Sequence, residues 1–200
     1  MKDFKPILNR FSQCMIAVIG DLILDEYIFG QVDRISPEAP VPIVRVTSEK
    51  YALGGAANVA ANLATLRGNV YLFGVTGDDP ARQIMLERAR FRKIDTSGIL
   101  IDQRKPTVRK TRIISLNQQL LRIDHENIAY IESHLENSFL QQLEKISNLD
   151  AVIISDYAKG TVTRELLTGL KQFCQQQKIR LIIDPRPKHK PWYQQADLIT

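Results

Sequence analysis

Two hydrophobic periods take turns along this chain. Residues 15–19 (MIAVI) form a short apolar run ending in Gly20-Asp21, which predicts a buried strand followed by a turn. Residues 55–67 place Val59, Ala60, Leu63 and Leu66 on one helical face, closed by Gly68. Residues 70–75 then read as a strand, and Asp79-Pro80 opens a helix running to about Phe91. Residues 132–147 predict a further helix. The clearest unit follows: a strand at 151–155, a helix at 163–177 and a strand at 180–184. This is a βαβ crossover, expected to be right-handed with parallel strands. Residues 197–200 begin another extended segment.

Two stretches break the alternation. Pro37, Pro40 and Pro42 interrupt the chain, and residues 41–46 (VPIVRV) suit an edge strand because proline cannot donate to a ladder. Residues 107–115 and 119–124, flanking Leu116-Asn117-Gln118, read as a β-hairpin. The fold class is therefore α/β, with helices on both faces of a largely parallel sheet and a small β appendage. There is no internal repeat, low-complexity tract or linker. Two hundred residues suit one domain, or one domain with a small appendage, able to bury roughly 70% of the unfolded surface.

Composition excludes some classes. Apolar residues make up 44% and charged residues 24%, as in ordinary globular proteins. No apolar run is long enough to span a bilayer. The opening MKDFKPILNRFSQC lacks the apolar region of a signal peptide, so a cytoplasmic chain with no membrane partner is expected. Cys14 and Cys174 lack metal-ligand spacing and read as structural thiols. His125, His134 and His189 are scattered, and neither GxxxxGK[ST] nor GxSxG occurs. The net charge is +5, with basic clusters at 82–93 and 104–112 that attract phosphates. No nucleic-acid motif accompanies them, so no nucleic-acid partner is expected.

Candidate chemistry collects at strand ends. In open α/β sheets, ligands bind outside the carboxyl ends of the strands. Three predicted strands end there on acidic residues: Gly20-Asp21 with Asp25 just beyond, Ser155-Asp156, and Asp184-Pro185. Any one fits a plain turn residue; together they suggest a polar pocket. Gly54-Gly55-Ala56-Ala57-Asn58 starts a helix, and two readings stand: backbone approach to a ligand at the helix N-terminus, or tight helix packing. Lys159 in Ser155-Asp156-Tyr157-Ala158-Lys159-Gly160 reads either as a point charge for a phosphate or as a solvated loop lysine. Asn117, Gln118 and Gln119 fit a polar turn.

GDLILDEYIFG, RISPEAPVPIVRV, GGAANVAANLATL, TRIISLNQQLLRID, SDYAKG and IIDPRPK occur in that order. In this series the chain, from about residue 15 to 200, resembles the ribokinase family of carbohydrate kinases. RISPEAPVP, NQQLLRID and SDYAKG together are similar to the branch that phosphorylates D-glycero-D-manno-heptose 7-phosphate at C1 with ATP, in ADP-heptose and lipopolysaccharide core synthesis. The resemblance implies a ribokinase-like doubly wound sheet with a β lid over the sugar, its segments at about 36–50 and 105–124. It implies that Asp25 and Asn58 bind sugar hydroxyls and that Gly54 and Gly55 let the sugar approach the backbone. Asn117 and Lys159 would contact the sugar or its phosphate, with Arg34 and Arg122 as further substrate-binding candidates. Asp184 would face the transferring phosphate and its Mg²⁺ through water.

Family kinases also carry Asn-x-x-Glu after the strand that begins here at Asp197, and a later Gly-Ala-Gly-Asp that supplies the catalytic base and anion hole. The sequence ends at Thr200 and contains no Gly-Ala-Gly-Asp. The expectation is thus the sugar-binding part of such a kinase, truncated on the C-terminal side. It would hold no catalytic base and no direct metal ligand, bind neither ATP nor Mg²⁺ tightly, and be inactive alone. A homodimer, or a second chain completing the fold, is expected at the open sheet edge. A non-catalytic sugar-phosphate binder or a degenerate protein is the alternative.

Overall fold

The architecture follows from strands whose alternate residues feed two cores. A computed structural model describes residues 4–200. After a short helix α1 (Lys5–Arg10), the strand β1 (Met15–Gly20) sends Ala17 and Ile19 to one side and Val18 to the other, all fully buried. Such two-sided burial gives a continuous apolar run rather than an alternating one. The chain continues through β2 (Leu22–Ile35), β3 (Pro42–Gly55), α2 (Ala56–Thr65), β4 (Asn69–Thr76), α3 (Pro80–Phe91) and β5 (Ile99–Ile101). It goes on through β6 (Arg109–Ser115), β7 (Gln118–His125), α4 (Ser133–Leu143), β8 (Ala151–Ser155), α5 (Arg164–Gln177), β9 (Arg180–Asp184) and β10 (Leu198–Ile199).

One sheet has six strands in the order β10-β9-β8-β1-β4-β5, every pairing parallel. On one face α4 and α5 bury Leu135, Phe139, Leu143, Leu166, Leu167 and Leu170. Phe139 meets Phe73 of β4 edge to face, with ring centroids 6.1 Å apart. On the other face α2 packs with small side chains (Ala56, Ala57, Ala60, Ala61), and α3 with Ala81, Met85 and Ala89. The expected doubly wound α/β core is therefore present.

Local chemistry sets the helix ends. Asp79 accepts from the Arg82 N–H at 3.0 Å ahead of Pro80, and Thr163 accepts from the Leu166 N–H at 2.9 Å. At the end of α2 the left-handed residue is Arg67 (φ 72°), and Gly68 follows it, donating to Leu63 O at 3.0 Å. The expected closure by glycine is thus displaced by one residue, in a Schellman pattern.

The second sheet has four strands in the order β3-β2-β6-β7. β2 and β3 run antiparallel from Leu22↔Gly55 to Ile35↔Pro42, β6 lies parallel to β2, and β7 returns antiparallel to β6. It extends beyond the expected segments 36–50 and 105–124, taking in all of β2 and continuing β3 to Gly55. The hairpin loop is two residues, Leu116-Asn117, both with positive φ (48° and 62°), rather than three. β5 also had no counterpart in the expected elements.

Asp21 is the residue where the chain leaves one sheet for the other. Its N–H donates to Ser155 O (3.2 Å), and its C=O accepts from the Ala56 N–H (3.0 Å). Its carboxylate accepts from the N–H groups of Tyr157 (2.8 Å), Lys159 (3.0 Å) and Thr161 (2.9 Å). At 1% exposure no water can substitute for it.

Asp21→Ala removes the acceptor for three loop donors, so it should lower the unfolding free energy by at least about 3 kcal/mol. Urea denaturation checks this, and a loss under about 1 kcal/mol would contradict it. A second expectation concerns the thiols. Burial pushes the Cys174 thiol up to about 12, leaving on the order of one thiolate in ten thousand at pH 8. Folded protein at pH 8 should therefore react with Ellman's reagent through Cys14 alone, Cys174 joining only in denaturant or as the pH rises towards 12; rapid reaction of both thiols would contradict the placement.

Candidate functional site

The carboxyl ends of β1, β8 and β9 bring Asp21, Asp156 and Asp184 to one edge of the main sheet, with Asp25 four residues past Asp21 on β2, and their surroundings sort them. Asp21 and Asp156 are 1% and 3% exposed and fully engaged. Asp156 accepts from the Ala158 N–H (2.7 Å), His189 Nδ1 (2.6 Å) and the Tyr193 hydroxyl (2.7 Å). Nδ1 of His189 donates to the carboxylate, and its Nε2 lies 2.9 Å from the Tyr130 hydroxyl. The His189 ring stacks on Trp192 at 4.0 Å. Burial first, and then the Asp156 carboxylate, push the Tyr193 phenol above its usual range. These groups tie down residues 185–193, the segment leaving β9. For Asp21 and Asp156, the turn reading of a strand-end aspartate is the right one.

Asp25 and Asp184 differ. Asp25 lies on β2, where its Oδ1 accepts from Arg112 Nη1 at 2.6 Å and its side chain stays 19% exposed. Asp25 raises the Arg112 guanidinium further above its ordinary value. Asp184 ends β9 half-buried, its backbone C=O accepting from the Asp156 N–H at 3.1 Å. The phenol of Tyr157 joins the two. It is raised by burial, then by the negative fields of Asp184 and Asp25. Both carboxylates therefore act on the same phenol.

The glycine pair lies beside Asp25. β3 runs directly into α2, so Gly54-Gly55 joins a strand to a helix. Gly55 takes φ 55°, and a β-carbon on it would collide with Asp21 O. A β-carbon on Gly54 would collide with Asp25 Oδ2. The glycines thus allow close packing, and part of what packs there is the Asp25 carboxylate. No side chain caps α2, whose first-turn N–H groups and positive dipole end face the same way. Asn58 is exposed in that first turn.

The remaining candidates are placed less centrally. Lys159 donates its backbone N–H to Asp21, and its Nζ reaches Glu126 at 2.6 and 2.7 Å. Arg122, on β7, is bonded to Asp124 at 2.8 and 3.0 Å. Arg34 is exposed nine positions along β2 from Asp25, roughly 30 Å away at strand rise. Asn117 sits at the β6–β7 tip, beyond the Gly30↔Ser115 pair and more than about 16 Å along the sheet from Asp25. Within one copy of the chain, neither Arg34 nor Asn117 meets Asp25. Two residues escaped the sequence reading, Arg112 and Tyr157. Tyr157 lies inside SDYAKG; Arg112 needed the β2–β6 register, which no local pattern reveals. Among the described residues, no three His, Cys, Asp or Glu side chains are grouped to hold a metal ion. Asp184 is a lone carboxylate and does not make a Mg²⁺ site by itself. Nor is any helix among them long and apolar enough to cross a membrane.

A doubly wound parallel sheet with a second sheet rising from its carboxyl edge, around a carboxylate and a helix N-terminus, is the ribokinase-like carbohydrate-kinase fold. The chain belongs to the pfkB family of carbohydrate kinases, whose model matches residues 14–200. It is 44% identical over 186 residues to the bifunctional protein HldE of Helicobacter pylori (strain J99 / ATCC 700824), covering 92% of this chain and 40% of that protein. It is 40% identical over 194 residues to the bifunctional protein HldE of Desulfatibacillum aliphaticivorans, covering 96% and 40%. The chain thus spans about 40% of the length of these relatives. Among solved structures, a carbohydrate kinase from Agrobacterium tumefaciens superposes with a TM-score of 0.65 at 16% identity, covering 93% of this chain and 60% of that one.

Tyr193→Phe should lower stability by about 1–2 kcal/mol, since it leaves one oxygen of a buried carboxylate short of a donor. Thermal and urea unfolding would measure it. A change within about 0.3 kcal/mol would mean that the phenol does not hold the 185–193 segment.

Proposed function

We propose that these residues form the acceptor-sugar side of a kinase that phosphorylates D-glycero-D-manno-heptose 7-phosphate with ATP. The observation that carries the reading is the partly exposed Asp25 carboxylate, held by Arg112 and seated against Gly54 ahead of the α2 N-terminus. Asp25 accepts from sugar hydroxyls; Asn58 both donates and accepts. The α2 N-terminus offers N–H groups to the same ligand. Asp184, at the end of β9, faces the incoming phosphoryl group in this reading. The particular sugar rests on the resemblance carried by RISPEAPVP, NQQLLRID and SDYAKG.

Phosphoryl transfer depends on positioning and on stabilising charge. In this proposal the 200 residues supply the positioning of the acceptor. Mg²⁺ would neutralise charge on the transferring phosphate when bound, but only Asp184 is available for it here and no step is assigned to it. The proposal therefore places sugar binding, without turnover, on the polypeptide Met1–Thr200.

Calorimetric titration of that polypeptide with heptose 7-phosphate should show saturable binding. Asp25→Asn should weaken it by roughly 10- to 100-fold, the range of one or two hydrogen bonds to a charged group. Addition of ATP and Mg²⁺ should give no bisphosphate product. Equal affinity in the Asp25→Asn variant would contradict the assignment of Asp25, and ATP-dependent turnover would contradict the division of labour. Absence of any binding would favour a degenerate protein.

A further inference from the structure

The second sheet changes character partway along its strands. β2 and β3 pair without interruption from Leu22↔Gly55 to Phe29↔Ser48, but the next pair is Gly30↔Val46, which leaves Thr47 as an extra residue on β3. β6 and β7 pair from Arg109↔His125 to Ile113↔Leu121, but the next pair is Ile114↔Gln119, which leaves Leu120 as an extra residue on β7. Phe29 lies opposite Ile114, so the two bulges fall at nearly the same level of the sheet. A bulge leaves its residue unpaired, interrupts the ladder and bends the strand. One line of weakened pairing therefore crosses the sheet from Thr47 to Leu120. Only the central β2–β6 pairing runs through it, and that ends at Gly30↔Ser115.

The two sides of that line are held differently. On the near side Leu24 and Leu53 belong to the buried core, and the Ala56 N–H bonds Asp21 O across the root of β2 and β3 at 3.0 Å. Buried Glu26 accepts from the Thr111 hydroxyl, with Arg109 Nε at 3.7 Å. The Arg88 guanidinium of α3 lies over the Tyr51 ring at 5.7 Å. On the far side, past Gly30, β2 keeps β3 alone as a neighbour, because the β6–β7 turn at Leu116-Asn117 ends just there. Of the described residues 30–46 none is buried, and Ile35 and Val41 are more than half exposed. The Arg45 guanidinium bonds Gln31 and Asp33, both at 3.0 Å and both within the same ribbon. A two-stranded ribbon that buries no apolar surface has little beyond its own ladder to fix its direction. At the line itself, the Thr47 hydroxyl donates to Phe29 O at 3.1 Å.

We propose that residues 30–46 form an arm that bends as an intact unit about the line through Thr47, Gly30, Ile114 and Leu120, while the base of the second sheet stays fixed to the core. At strand rise Ile35 stands about 17 Å beyond Gly30, so a bend of about 30° moves the tip by on the order of 10 Å. The arm carries Arg34 and the rest of RISPEAPVP; the base carries Asp25, Gly54, Gly55 and Arg112. Bending at the line therefore leaves the Asp25–Arg112 pair and the glycines in place. A β-carbon on Gly30 would collide with the Val44 side chain and with Arg45 O, so the two strands cross at the pivot more closely than any other residue permits. The arm is defined by register and burial alone, whatever ligand Asp25 meets.

Double electron–electron resonance on the full chain tests this. One spin label is placed on α5 (Gln172→Cys) and the second either near the arm tip (Glu38→Cys) or on the base (Glu49→Cys), with Cys14→Ser in both. The tip pair should give a distance distribution severalfold broader than the base pair. Deletion of Thr47 keeps every pair of the β2–β3 ladder and removes the bulge, so it should narrow the tip distribution towards that of the base. Amides of residues 31–35 and 43–45 should still exchange more slowly than in the unfolded chain, because the arm moves intact. Tip and base distributions of equal width, or a broad tip distribution that the deletion leaves unchanged, would overturn the hinge. Arm amides exchanging at the unfolded rate would overturn it too, since the arm would then be melting rather than bending.

Discussion

A buried carboxylate that accepts from three backbone N–H groups organises everything near the candidate site. Asp21 sits between β1 and β2 with no other residue between those strands. Its side chain gathers the loop after β8, its C=O receives the first N–H of α2, and its own N–H meets Ser155. One residue therefore fixes the end of the central strand, the departure of the second sheet, the start of a helix and a loop. Each bond is modest, but every one of these groups would be orphaned in a water-free place if the carboxylate were lost. The arrangement has a functional consequence. With Asp21 consumed by the fold, Asp25 four residues on is the carboxylate that keeps an exposed side.

Asp21, Asp25, Asp156 and Asp184 show how burial and bonding separate structure from chemistry. Asp21 and Asp156 have donors all round and almost no exposure, so they have nothing to offer a ligand. Asp25 has one strong partner and an open side. Asp184 is half-buried, with its backbone rather than its side chain engaged. The His189, Tyr193 and Tyr130 network around Asp156 serves the same end at one remove, since it fixes the chain leaving β9 and hence the setting of Asp184. The basic character of residues 104–112 also gains a place: part of it, Lys110 and Arg112, stands beside Asp25 rather than on a general surface.

Much of the main sheet was legible because its strands are buried on both faces and its helices are amphipathic. The strand Ala151–Ser155 and the βαβ unit that follows it, and the helix capped by Asp79, carry strong local signals. The second sheet was harder to see. β2 contains Asp25, Glu26 and Gly30 within fourteen residues, and the second half of β3 reads SEKYA, poor strand formers on their own. Long-range pairing over the full length of β2 and β3 overrides that propensity. The same non-locality hid Arg112, whose importance depends on which residue of β2 it meets. Asp25 and Asn58 were singled out through motifs, and the packing of the glycine pair against the Asp25 carboxylate is visible only in the structure.

The central claim is that the acceptor sugar of the proposed function binds beside Asp25, its partner Arg112 on β6 and the α2 N-terminus. Hydrogen–deuterium exchange with and without heptose 7-phosphate tests it without any substitution. The account predicts slowed exchange in residues 54–59, 109–112 and 157–160, with no change at α1 or β10. Protection confined to residues 185–199, or no protection at a concentration that saturates binding, would contradict it.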